Sequence, residues 1–266
     1  MGQLLLPSAK ATKVKARLSL PETSPDGSLP DHPLPHDRAT PAPMRYVLHY
    51  APDNASLIIR LALDVLDQPY DTRLVDRASN AQSSPAYLAL NPNGLIPTLE
   101  TGDGVMFETA AILLYLHEQH GALMPDSGAA RAAALKWLVW LGNTLHPSQR
   151  MLFYPHLYTD GDIEHLRAPT RKRITRLLTL LETATDTDWL EGPPSAMSCY
   201  LAPLLRWCAI YGGPSWFDLA DHPRLMDFAQ RMEQTEATLR AIVAEGLGPH
   251  PFTAPKRPNP PEGSAL

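Results

Sequence analysis

Asn91-Pro92-Asn93-Gly94-Leu95-Ile96-Pro97-Thr98-Leu99-Glu100, followed by Phe107-Glu108-Thr109-Ala110-Ala111-Ile112-Leu113, is the stretch whose reading decides the fold. The Ile96-Pro97 bond enters a strand and is a candidate cis peptide, because only X–Pro bonds reach cis at small cost. Leu95–Glu100 and Val105–Phe107 read as two strands, and Thr101-Gly102-Asp103-Gly104 between them is hairpin chemistry. Thr109 to His120 has helical spacing and stops at Gly121, a residue suited to a left-handed cap.

Upstream, Arg45–Tyr50 is a short β-rich run, and Pro52-Asp53-Asn54 is a turn. Leu57, Leu61 and Leu63 to Leu66 follow with helical density, and Asn54 or Ser56 is placed to cap that helix. Tyr70–Val75 reads as a second strand. A polar loop, Arg77–Ser84, leads to a short helix at Pro85–Leu90. The predicted order is βαβαββα, with a parallel first crossover and an antiparallel last hairpin.

Downstream of Gly121 the strand signal ends. Ala129–Leu145, Ile163–Ala184, Ser195–Tyr211 and His222–Ala244 are helical in spacing, with Ile174, Leu177, Leu178 and Leu181 forming one apolar stripe. The expected organisation is an α/β domain over residues 44–123, a linker near Met124–Gly128 and an all-α helical bundle domain over 129–245. Half of the 28 prolines fall in residues 1–43 and 246–266. Proline fixes φ and lacks an amide proton, so neither end can be regular helix or central strand. Residues 1–43, without hydrophobic periodicity, are expected to be a disordered extension. Residues 246–266 are expected to form a proline-rich tail lying extended over the surface.

The formal net charge of −5 argues against nucleic acid as a partner, since phosphate binding wants a basic surface. No run approaches the roughly 18 apolar residues of a membrane helix. The N-terminal segment fits neither a signal peptide nor an acid-poor transit peptide, and two cysteines, Cys199 and Cys208, do not make a disulfide scaffold. The expected location is cytoplasmic, with no membrane and no nucleic-acid partner.

The run Asn91–Pro97, the hairpin and Glu108-Thr109 before Ile112 together resemble the glutathione transferase family in order and spacing, and the resemblance extends over residues 44–245. It implies an α/β thioredoxin-like domain followed by the helical bundle, with glutathione as co-substrate and no metal. A cis turn at Pro97 would expose the backbone N–H and C=O of Ile96 to pair with glutathione as an added strand. Family members use the position of Glu108 to face the γ-glutamyl amine. They use the hydroxyl at Thr109, with the helix amides, to bind its carboxylate. Pro194-Ser195-Ala196-Met197-Ser198 resembles the family's capping box with Ser198 in place of Asp, a cap expected to be weaker for lack of charge.

The reaction needs a thiolate, which is the nucleophilic form. The usual activator is not cleanly present: Ala55 stands at the cysteine position and Pro52 or Asp53 at the serine position. The candidate donors are Ser56, Asn54 and Tyr50, in that order, each of which also reads as a helix cap, a turn residue or a core tyrosine. The expected function is conjugation of glutathione to a small electrophile, and the resemblance alone implies a homodimer and a role in detoxification. The rivals are another glutathione-dependent reaction (isomerisation, dehalogenation, peroxide reduction) or a non-catalytic binding protein of the same fold. Without a thiol at position 55, disulfide-reductase chemistry is disfavoured. His117 and His120 are read as favourable ends to a helix dipole rather than metal ligands. Arg167, Arg171, Lys172, Arg173 and Arg176 are read as a solvated face or dimer edge, and Cys199 and Cys208 as buried packing residues.

Overall fold

The computed structural model describes residues 46–265; the expected extension over 1–43 lies outside the described residues. Strand β1 (Tyr46–Tyr50) is followed by helix α1 (Ser56–Val65), strand β2 (Tyr70–Leu74), helix α2 (Pro85–Leu90), strands β3 (Thr98–Thr101) and β4 (Gly104–Met106), and helix α3 (Thr109–His120). The sheet order is β2-β1-β3-β4. Strands β1 and β2 run parallel, as a helical crossover requires, and β1–β3 and β3–β4 are antiparallel. This is the thioredoxin-like four-stranded mixed sheet. Leu48 and Leu99, register partners on β1 and β3, are fully buried, and so are Leu57, Ile58, Ile59, Leu61 and Leu63 of α1. Alternate side chains of the sheet thus close against α1 and α3.

Helices follow up to residue 245: α4 (Gly128–Trp140), α5 (His146–Phe153), α6 (Ile163–Thr183), α7 (Ala196–Ile210), α8 (Pro223–Glu233) and α9 (Glu236–Glu245). Helix α7 is the core of this part, buried from Ala196 through Cys208. The capping box expected at its start is complete: Ser198 N–H donates to Ser195 Oγ at 3.2 Å and Ser195 N–H donates to Ser198 Oγ at 2.5 Å.

Three helical boundaries differ from the sequence reading. The helix read over Ala129–Leu145 does not end there: the chain stays helical to Phe153, through a π-helical turn over Leu141–Leu145 that shifts the hydrogen-bond register before Pro147. The run His222–Ala244 is broken at Gln234, where Thr235 Oγ1 accepts from Thr238 N–H and starts α9. Helix α1 has Ala55 at its N-cap and no side-chain cap. Neither Asn54 nor Ser56 caps it. The Asn54 Oδ1 takes only the Ala55 amide, and Ser56 is already the first helical residue.

The tail folds back. Phe252 is buried, and Glu233 accepts from the amides of Phe252 and Thr253 at 2.8 and 2.7 Å. Arg206 of α7, fully buried, donates to the carbonyls of Leu247, Pro251 and Lys256 at 3.1, 3.1 and 2.8 Å. Its remaining edge pairs with the buried Asp53 carboxylate, Nε to Oδ1 at 2.8 Å and Nη2 to Oδ2 at 3.2 Å. Asp53 N–H donates to Glu245 at 2.7 Å, and Glu245 pairs with Arg60 of α1 at 2.7 Å. Buried charges therefore tie the β1–α1 loop to α7, α9 and the tail.

Candidate functional site

A cavity of about 1230 Å³ opens between the sheet end of the thioredoxin-like part and helices α4, α5 and α7. Pockets for one drug-sized ligand run about 300–1,000 Å³, so this one has room for a tripeptide and a second small molecule.

One wall is the predicted motif. Asn91 fixes its own loop: its Nδ2 donates to the Leu95 carbonyl at 2.8 Å and its Oδ1 accepts from Asn93 N–H at 3.1 Å. Gly94 has φ +60, and a Cβ there would sit 3.2 Å from the Gln82 carbonyl oxygen, so the turn requires glycine. The Ile96-Pro97 peptide is cis, as expected. The ladder starts only at Thr98, and the backbone N–H and C=O of Ile96 make no hydrogen bond among the described residues. Both Ile96 and Pro97 line the cavity.

Next to them, Glu108 and Thr109 open α3 and also line the cavity. Glu108 has φ +71, outside the regions a residue with a Cβ favours. Strain of this kind costs about 1–3 kcal/mol and collects at ligand sites. No side chain caps α3, so its first amides face an open N-terminus that favours a carboxylate. The Tyr200 hydroxyl of α7 lies 3.0 Å from His146 Nδ1, and both residues line the cavity with Thr109.

The three candidate thiolate donors separate. Asn54 lines the cavity together with Asp53 and Ala55. Its Oδ1 is taken by the Ala55 amide at 2.9 Å, which leaves its NH2 as the donor. Ser56 does not line the cavity. It is fully buried, its hydroxyl donating to the Ala51 carbonyl at 3.1 Å and accepting the Ala51 amide at 3.3 Å. Tyr50 does not line it either. Its ring is buried beneath the Arg60 guanidinium and its hydroxyl donates to Glu262 of the tail. Burial, reinforced by Glu262, holds that phenol well above its ordinary range. The ranking by sequence position is thereby revised to Asn54 first, because a first-turn hydroxyl turned back to Ala51 cannot also meet a ligand.

His146 is the residue that sequence reasoning missed. It stands at the first position of α5, directly after the π-helical turn, a feature common at functional sites. It lines the cavity with its ring against Tyr200 and Trp207. Burial pushes its pKa down to about 4, with Arg150 adding to the effect, so the imidazole is neutral near pH 7. A lone histidine before a proline gave no signal of this in the sequence.

The other flagged groups lie elsewhere. His117 Nδ1 bonds the Ala122 carbonyl and His120 bonds the Tyr46 hydroxyl. Cys199 and Cys208 are buried, and burial pushes the Cys199 thiol up to about 12 and the Cys208 thiol higher still, so both stay protonated. Among the described residues no group of histidine, cysteine and acidic side chains is placed to hold a metal.

Known proteins match this arrangement. The family model described as glutathione S-transferase, N-terminal domain, matches residues 49–125. Glutathione S-transferase GstB of Escherichia coli strain K12 is 38% identical over 193 residues, which span 70% of this chain and 91% of GstB.

The chain belongs to the glutathione S-transferase family.

A second glutathione S-transferase, GST-4.5 of Xanthomonas campestris, is 29% identical over 75% of this chain and 98% of its own. The solved glutathione S-transferase of a sphingomonad, complexed with glutathione, is 26% identical, with a TM-score of 0.61 over 76% of this chain and 100% of that one. Similarity thus covers both the sheet domain and the helices that follow it in the family.

Proposed function

We infer that the protein conjugates glutathione to a small electrophile, with residues 44–123 serving as the glutathione domain and 129–245 walling the second substrate. The observation that carries this reading is the cavity's unsatisfied wall: an Ile96 backbone with no partner beside an uncapped α3 headed by Glu108 and Thr109. A γ-glutamyl peptide supplies what that wall lacks. Its backbone pairs with Ile96, its carboxylate meets Thr109 and the α3 amides, and its amine meets Glu108.

Laid along this wall, the thiol falls near Asn54 and the α1 N-terminus. The helix end contributes about 0.3–1 kcal/mol to a thiolate, while a side-chain hydrogen bond to a charge gives about 1.5–3 kcal/mol. The donor therefore outweighs the dipole, and Asn54 holds the thiolate without itself ionising. His146 is the second donor: with the Tyr200 hydroxyl donating to Nδ1, the ring proton sits on Nε2. The sulfur then gives its electron pair to the electrophilic carbon, the C–S bond forms, and the leaving group departs with its own bonding pair.

The absence of Ser56 and Tyr50 from the cavity favours one rival, a glutathione-binding protein without turnover. Calorimetry with glutathione and then turnover against an electrophile panel separate the two. Binding with no turnover supports the rival; no binding removes both. Cytoplasmic location, homodimerisation and a role in detoxification belong to this same reading. None of the described helices is long and apolar enough to cross a membrane.

A further inference from the structure

The cavity lining carries an excess of cations although the chain as a whole has a net charge of −5. Arg77, Arg150, Arg167 and Arg257 line the cavity, against two acids, Asp53 and Glu108. Asp53 is neutralised by Arg206, and Glu108 stands at the glutathione side. Arg167 pairs with Glu164. Arg77, Arg150 and Arg257 have no carboxylate partner among the described residues.

Their guanidinium groups are nevertheless held in place. Arg77 and Arg150 lie over one ring, that of Tyr154, at 5.5 and 5.6 Å from its centroid. Arg257, delivered by the tail, lies over the Tyr211 ring at 5.8 Å. Arg77 also donates to the Tyr154 hydroxyl at 3.0 Å. Arg150 is half-buried and makes no side-chain hydrogen bond among the described residues, so all five of its donors are unspent. Like charges gathered on two tyrosines repel unless an anion sits among them. A stacked guanidinium presents a planar fork that matches a carboxylate in a bidentate way.

We propose that the second substrate is an anion: a small carboxylate-bearing electrophile whose carboxylate is held by Arg150 and Arg257 while its reactive carbon faces the thiol. The proposal rests on the glutathione reading only for which molecule lies beside Ile96, Glu108 and Thr109; the anion site itself stands on the arginine geometry. Arg257 makes the tail part of the substrate site.

The test is calorimetry on the full chain with two inert probes of one shape, nitrobenzoate and nitrobenzamide, each with and without saturating S-methylglutathione. Nitrobenzoate is expected to bind at least about tenfold more tightly than the amide, with affinity falling as salt is raised. The double variant Arg150→Gln/Arg257→Gln should lose that preference and leave amide binding unchanged. Each single variant should lose part of it, which keeps the test readable if the double variant folds poorly. Equal binding of the two probes to the parent overturns the proposal. So does a double variant that weakens S-methylglutathione but not nitrobenzoate, since the arginines would then serve glutathione's own carboxylate. If S-methylglutathione does not bind at all, the glutathione reading fails, and nitrobenzoate binding to the free protein still decides this one.

Discussion

Replacing Arg206 with methionine keeps the stem length and removes the guanidinium from a site where both it and Asp53 are fully buried. Three tail carbonyls, those of Leu247, Pro251 and Lys256, lose their donor together. The Asp53 carboxylate keeps Trp207 Nε1 at 2.8 Å and the Tyr211 hydroxyl at 3.3 Å but no cation. Breaking a buried pair from one side costs about 3–5 kcal/mol, mainly because the remaining charge stays desolvated. Against a total stability of about 5–15 kcal/mol, this is roughly a fifth or more. At roughly 2–4 °C per kcal/mol for a domain of this size, Tm should fall by about 6–20 °C. Urea unfolding of Arg206→Met gives the free energy, and limited proteolysis of the tail shows whether its anchor is lost. Asp53→Asn/Arg206→Met should regain part of the loss, because it removes the stranded charge. An Arg206→Met protein within about 1 kcal/mol of the parent, with an equally protected tail, would refute the reasoning.

Thr109→Ala removes a donor to the γ-glutamyl carboxylate, worth about 1.5–3 kcal/mol, so glutathione affinity should fall roughly 10- to 150-fold by calorimetry; unchanged affinity in both Thr109→Ala and Glu108→Gln contradicts the placement. Asn54→Ala should raise the pKa of bound glutathione by about 1–2 units, whereas Ser56→Ala should leave it alone and instead lower stability by about 1–3 kcal/mol through the Ala51 backbone groups left unpaired. The pKa of His146 is about 4 in the folded state against 6.5 in its ordinary state, so its contribution to stability is full above about pH 6.5 and is lost as pH falls toward 4, by up to about 3 kcal/mol. The stability difference between parent and His146→Gln should shrink by that amount across this window, and a pH-independent difference rejects the assignment.

The sheet and the cavity wall proposed to take glutathione were legible because local chemistry dictates their conformation. Asn91 and Gly94 close a turn whose bonds run within the loop, and Glu108-Thr109 lie where a hairpin must pass into a helix. The thiol end was not legible. Ser56 stands at a helix start, but its hydroxyl turns back to Ala51, and nothing in the local sequence distinguishes that from a hydroxyl facing a ligand. Tyr50 meets Glu262 across 212 positions, and Asp53 meets Arg206 across 153. Contacts of that range depend on how α7 and the tail pack, which no periodicity records. His146 was hidden for a related reason: it lies just past the helix read over Ala129–Leu145, and the π-helical turn that carries the chain on through Pro147 has no sequence signature.

The most direct test of the account is the pH titration of the thiolate absorbance of glutathione bound to the parent protein, measured by ultraviolet difference spectroscopy at saturating protein. A side-chain donor at Asn54, with the α1 N-terminus behind it, should lower the bound thiol's pKa by about 1–2 units relative to free glutathione. A bound thiol that titrates together with free glutathione would contradict the claim that this cavity activates it.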